Sequence, residues 1–231
     1  MNDRLQTAYP GYAGAGSLAE RNKVLRNTYW LLALSLVPTV LGAWVGVSTG
    51  IMANLGTGMS LVVFLVGAFG LMFAIEKTKN SSTGVFMLLA FTFFMGLMLS
   101  RLLAAVLGFR NGSSLIMMAF GGTAGVFLAM ASLATVIKRD LSGMGKFLFV
   151  GAIIVFIAAI INVFVQSTAM MMTLSVIVMG LFSAFMLYDI KRVIDGGETN
   201  YISATLAIYL DIYNVFQALL SLLGIFGGER E

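Results

Sequence analysis

Few side chains in this chain can do chemistry. Histidine and cysteine are both absent. That removes thiol catalysis, disulfides and zinc sites built on either residue, and the side chain that ordinarily changes charge near neutral pH. Carboxylates remain, and two stand out: Asp189 in LYDIKRVID and Asp211 in ATLAIYLDIYNVFQ. Asp211 falls near the middle of a run apolar enough to cross a membrane, where a charge costs about 2.5–3.5 kcal/mol on insertion scales. If the two carboxylates meet, both will not ionise; they share a proton and titrate as one unit. Protonated, such a pair ties two helices together. Ionised, it repels or takes a hard cation such as Ca²⁺, which prefers oxygen ligands. The plain alternative is a protonated Asp211 hydrogen-bonded to helix backbone or to Asn214, as packing glue.

The elements that must position these residues follow from composition. The 231-residue chain is 59% hydrophobic and 10% charged, against roughly 25% charged in a soluble domain. Apolar runs recur along nearly its whole length, each long enough for a hydrocarbon core about 30 Å thick. Seven spans are expected, at 28–47, 59–75, 84–107, 114–136, 147–165, 169–190 and 201–224. Residues 147–188 as one helix would reach about twice the membrane thickness, so Gln166-Ser167-Thr168 is the expected break. The fold class is an all-α integral membrane protein, a seven-transmembrane helix bundle at 27–227 with a short tail at 228–231. The first run has no small-residue cleavage site beyond it and reads as a retained span rather than a signal peptide.

The last two spans are joined by a short loop. Gly196-Gly197 can end one helix, and Thr199 or Asn200 can start the next. Counted from the loop, Asp189 lies about five residues deep and Asp211 about ten, roughly 7–8 Å apart along the axis. This spacing permits contact without requiring it. Ala204, Ala207, Asp211, Asn214, Gln217 or Ala218, and Ser221 follow one side of the last span. A small and polar stripe of this kind packs on helices or lines a wet cavity, because lipid rejects it. The seventh span is therefore expected at the centre, ringed by the other six.

Weaker candidates have plainer readings beside the functional ones. Glu76 ends span two, solvated at the interface or joined to the mouth of a cation path. Arg101, late in span three, snorkels to the interface or acts as a gate or counter-ion. Asp195 and Glu198 read as solvated loop charges. Gly121 and Gly125 in FGGTAGVF have the four-residue spacing of close-packed membrane helices.

Lys and Arg set the orientation. With the N-terminus in the cytoplasm, that side holds Arg4, Arg21, Lys23, Arg26, Lys77, Lys79, Lys138, Arg139, Lys146, Lys191 and Arg192. The other side holds only Arg101, Arg110 and Arg230. The C-terminus is then outside. The net charge of +4 reflects this bias and not nucleic-acid binding, since no aromatic-basic platform accompanies it. Residues 1–26, with YPGYAGAGS and no helical stripe, read as a flexible cytoplasmic tail. Such a tail is either without a role or a handle for a partner.

KVLRNTYWLL before span one, GLMF at 70–73, FGGTAGVF at 120–127 and GGETNYISAT before the last span resemble the bacterial, YccA-like branch of the Bax inhibitor-1 family, over about residues 22–227. The resemblance implies a bundle whose seventh helix is surrounded by the others, in the bacterial inner membrane. It also implies a pH-sensitive calcium leak, with Asp189 and Asp211 at the positions of an aspartate pair that controls the closed state. No cofactor is implied. For this branch it further implies association with the membrane-bound AAA+ protease FtsH, as a substrate and modulator pulled by its N-terminal tail. One departure is MLSRLLAAV, where Arg101 stands in place of a Gly-Pro element; a positive charge there opposes cation conduction at the outer end.

A rival reading is an intramembrane aspartyl protease, which places Tyr-Asp on one helix and Gly-x-Gly-Asp on the next. Two carboxylates sharing a proton suit water activation. However, Ile208-Tyr209-Leu210 precedes Asp211 without glycine, and the only prolines are Pro10 and Pro38, so no Pro-Ala-Leu element exists. No catalytic residue is assigned, and the chain is expected not to be an enzyme.

Overall fold

The computed structural model describes the backbone of residues 10–229 and the side chains from Leu18 to Glu229. In chain order the helices are α1 (Pro10–Thr49), α2 (Ile51–Asn54), α3 (Gly56–Thr78), α4 (Ser82–Leu107), α5 (Gly112–Val136), α6 (Met144–Val165), α7 (Thr168–Ile194) and α8 (Tyr201–Gly227). Among the described residues there is no strand. All but the one-turn α2 are long and apolar enough to cross a membrane, which gives the seven expected spans. Large apolar side chains such as Val66, Phe73, Phe147 and Phe164 point outward. Exposed apolar surface on this scale suits lipid rather than water.

The break at 166–168 is made by local chemistry. Gln166 takes a left-handed conformation at the end of α6. The Asn162 side chain accepts the Ser167 N–H at 3.0 Å. Ser167 then caps α7 by accepting the Met170 N–H at 3.2 Å, satisfying a backbone donor that the helix leaves free.

The expected tail at 1–26 is helical from Pro10 onward; residues 1–9 lie outside the described residues. The stretch LAERNKVLR is rich in good helix formers, so α1 extends about 60 Å at 1.5 Å per residue and outruns the bilayer. The turn formers of PGYAGAGS do not interrupt the helix.

The last span is central. Helix α8 packs against α7, α5, α1, α4 and the end of α3. Its buried residues include Ile202, Thr205, Ile208, Tyr209, Tyr213 and Leu220. Hydroxyls tie it to two neighbours. Tyr209 Oη lies 2.9 Å from Thr39 Oγ1, and Tyr213 Oη donates to the Met95 carbonyl at 3.2 Å. The ring around it has five members, not six. Helix α6 is apolar all round, buries only Val155, and leans on α7 rather than reaching α8.

The close-packed seam is also elsewhere than the sequence suggested. Gly121 and Gly125 face open space on the exposed side of α5. The tight crossing is between α1 and α4. A methyl group on Gly42 would run into the Phe93 carbonyl, and one on Gly96 into the Thr39 carbonyl. Gly46 is blocked in the same way by Ser100. Gly42-x-x-x-Gly46 and Gly96-x-x-x-Ser100 are small residues one helical turn apart, and they let two backbones approach.

Candidate functional site: a buried aspartate pair and its cleft

The connection between α7 and α8 is fixed residue by residue. Helix α7 ends at Ile194, and Gly196 has φ +79°, a left-handed conformation that glycine adopts at little cost. The N–H groups of Gly197 and Glu198 both donate to the Arg192 carbonyl, at 2.8 and 3.2 Å. Asn200, one of the two expected starters, caps α8 by accepting from Ile202 N and Ser203 N at 2.9 and 3.1 Å. Its amide reaches across to the Lys79 carbonyl and the Asn80 side chain, at 3.0 and 2.9 Å. One side chain thus caps the central helix and fastens it to the α3–α4 turn.

Within this frame the carboxyl groups of Asp189 and Asp211 lie within hydrogen-bonding reach of each other. Tyr188 turns the other way, its ring against Gly145 of α6, so Asp189 faces α8. Asp211 is 3% exposed and its Oδ2 has no hydrogen-bond partner. Asn214 does not provide one; its amide donates to its own helix at the Leu210 carbonyl, 2.8 Å away. The only other buried side-chain polar atom without a partner, among the described residues, is Ser203 Oγ.

Asp189 opens onto a cleft of about 260 Å³, lined also by Glu76, Arg192, Glu198, Ser203, Leu206 and Leu210. That is room for several waters or a hydrated ion. Glu198 is not the solvated loop charge expected from sequence. Its side chain pairs with Arg192 at 3.2 Å and accepts the Asn200 N–H at 2.9 Å. Asp195 is exposed and pairs with Lys191 at 2.6 Å. Glu76 reaches the cleft from α3 and is bonded to Lys79. Arg192, three residues after Asp189 on the same helix and close enough to act on its charge, was missed in the sequence; its one-turn spacing was the available signal.

The other candidates do not join the pair. Gln217 is on the exposed face of α8. Arg101 lies towards the opposite end of the bundle, exposed, and donates to Thr57 Oγ1 at 3.5 Å. The stripe read along α8 divides accordingly: Ala204, Asp211, Ala218 and Ser221 are buried, whereas Asn214 is half-buried and Gln217 exposed. Among the described residues no three or more Asp or Glu side chains are grouped to hold a metal ion.

A seven-helix membrane bundle with a buried carboxyl pair on its last two helices is the class of protein these features define. Residues 21–228 match the family model described as "Inhibitor of apoptosis-promoting Bax1", and the chain belongs to the Bax inhibitor-1 family. It is 39% identical over 208 residues to "Modulator of FtsH protease YccA" of Escherichia coli K12, covering 90% of this chain and 92% of that protein. The same identity and coverage hold for "Inner membrane protein YccA" of Escherichia coli O6:H1. A Vibrio cholerae protein described as "Uncharacterized membrane protein" is 42% identical over 210 residues, covering 89% of this chain and 91% of the relative. The first of these relatives is described as a modulator of a protease.

Proposed function

We propose that this chain is an inner-membrane modulator of an FtsH-like AAA+ protease, engaged through its N-terminal segment, and that Asp189 and Asp211 form the gate of a proton-sensitive calcium leak. Its N-terminus is cytoplasmic and its C-terminus outside, in keeping with eleven of its fourteen basic residues falling on one side. The modulator reading rests on the similarity to the Escherichia coli protein of that description over nine-tenths of both chains. The leak reading rests on one observation: a carboxyl pair buried among apolar helices, with an oxygen of Asp211 left unpartnered and a cleft lined by its partner Asp189. A proton shared by the pair holds α7 to α8. Its loss leaves two like charges that separate or admit a cation.

Calcium uptake into proteoliposomes with an internal dye, from about pH 5.5 to about pH 8, tests the leak. Flux that varies with pH in the parent and changes in Asp189→Asn or Asp211→Asn supports it. Flux no greater than that of empty vesicles at every pH removes it. Deleting residues 1–20 tests the other half: the chain's own turnover by the protease, and its effect on the protease, change while flux does not. If flux persists and the protease is indifferent to the chain, the protein is a proton-gated channel in the first place.

A further inference from the structure

The part of α1 that precedes the membrane lies against the loop that holds the candidate site. The guanidinium of Arg21 packs directly on Gly196: a methyl group built there would lie 2.6 Å from Arg21 Nε and 3.1 Å from Cζ. Gly196 is the left-handed residue on which the α7–α8 loop turns. About two turns further along α1, the Thr28 carbonyl lies 3.3 Å from the Thr205 hydroxyl of α8. The same stretch of α1 therefore touches both the loop and the first turns of the central helix.

From Gly196 the connections lead straight to the cleft. Its neighbours Gly197 and Glu198 are bonded through their N–H groups to the Arg192 carbonyl. The Glu198 carboxylate is paired with the Arg192 side chain, and both residues line the cleft beside Asp189. Asn200 then fixes the start of α8. A planar guanidinium laid on a glycine backbone covers the loop from outside in a way that a lysine ammonium cannot.

We infer that residues 18–26 of α1 are a strap, fastened by Arg21 on Gly196, that holds the α7–α8 loop in place and limits access to the cleft at Asp189. A partner that draws on the N-terminal segment would lift the strap and open the cleft. This consequence extends the function proposed above, whereas the strap itself does not depend on any ion being conducted.

The chain has no cysteine, so a single introduced thiol is a clean reporter. The test uses the full chain in detergent micelles, where both ends of the bundle are in reach of the reagent, with Ser203→Cys, inside the cleft, and separately Ser113→Cys, exposed at the far end of the bundle. Labelling by a small membrane-impermeant maleimide is timed with and without Arg21→Ala. The strap predicts labelling at position 203 at least about threefold faster in Arg21→Ala, with position 113 unchanged, since local opening is confined to the contacts released. Hydrogen exchange at residues 196–203 rises in step. Unchanged labelling at 203 overturns the inference. So does an equal rise at both positions, which would mean general loosening. Because the readout is accessibility, a protein that conducts nothing still gives an answer.

Discussion

Asp211 is 3% exposed and its carboxyl meets that of Asp189 on the neighbouring helix, with one oxygen unbonded. An amide at position 211 has nearly the same shape and can donate to Asp189. Asp211→Asn should therefore fold, and its melting temperature in detergent should equal or exceed that of the parent, because the amide donates to Asp189 at every pH and removes the like-charge repulsion of the ionised pair. The parent's melting temperature varies between about pH 5.5 and about pH 8 if the pair shares a proton there, and this variation disappears in Asp211→Asn. A parent whose stability is flat over that range would leave the pair as packing alone.

Asn200 does two jobs with one side chain, capping α8 and bonding the α3–α4 turn. Loss of a cap costs about 0.5–2 kcal/mol, and each cross-loop hydrogen bond contributes about 0.5–1.5 kcal/mol. Asn200→Ala should lower stability by about 2 kcal/mol in total, with faster hydrogen exchange at Ile202 and Ser203 and at the start of α4. Asn200→Asp keeps the cap and loses only the bonds to Lys79 and Asn80. Its cost should be about half as great; equal costs would mean the cap adds nothing, and a costless Asn200→Asp would mean the cross-loop bonds add nothing.

The spans were legible in the sequence because hydropathy over about 20 residues is the strongest signal a membrane chain carries. The break at Gln166-Ser167-Thr168 and the loop at Gly196-Gly197 were legible as well, through residues whose backbone preferences are special. Facing was harder to read. Gly121-x-x-x-Gly125 and Gly42-x-x-x-Gly46 have the same spacing, yet only the second meets a neighbour. Which face of a helix is covered depends on the other helices, and an apolar stripe looks alike towards lipid and towards protein. Glu198 and Arg192 were obscure for a related reason. A loop charge reads as solvated until the loop is seen folded back over the end of its own helix.

At the α5–α6 turn, outside the spans, Asp140 accepts the Ser142 N–H at 2.8 Å and the Ser142 hydroxyl at 2.9 Å. These bonds hold its carboxyl below the ordinary aspartate range. A group depressed in the folded protein contributes its stabilisation above its unfolded pKa, about 3.9, and loses it as pH falls through the lower folded value. In nanodiscs the Ser142 amide shift, followed by NMR from about pH 6 downward, should therefore titrate with a midpoint below about 3.9. Asp140→Asn should abolish the transition. A midpoint at or above the ordinary value would mean the turn is not formed in the membrane.

The seam between α1 and α4 gives the sharpest contrast between two glycine pairs. At Gly42 and Gly96 any side chain meets backbone on the opposite helix, Phe93 and Thr39 respectively, and backbone cannot rotate aside as a flexible side chain can. Overpacking of a tight site costs about 1–3 kcal/mol and more where the backbone must move. Gly96→Val should therefore sharply reduce the yield of folded protein or its melting temperature. It should also disturb the Tyr209–Thr39 contact, because Thr39 is the residue pushed away. Gly121→Val, at the same spacing motif in α5 but facing open space, should fold and melt as the parent does. If Gly121→Val were the damaging change and Gly96→Val the silent one, the helix facing described here would be wrong. If both were damaging, the open face of α5 would have to be covered in the membrane by another chain.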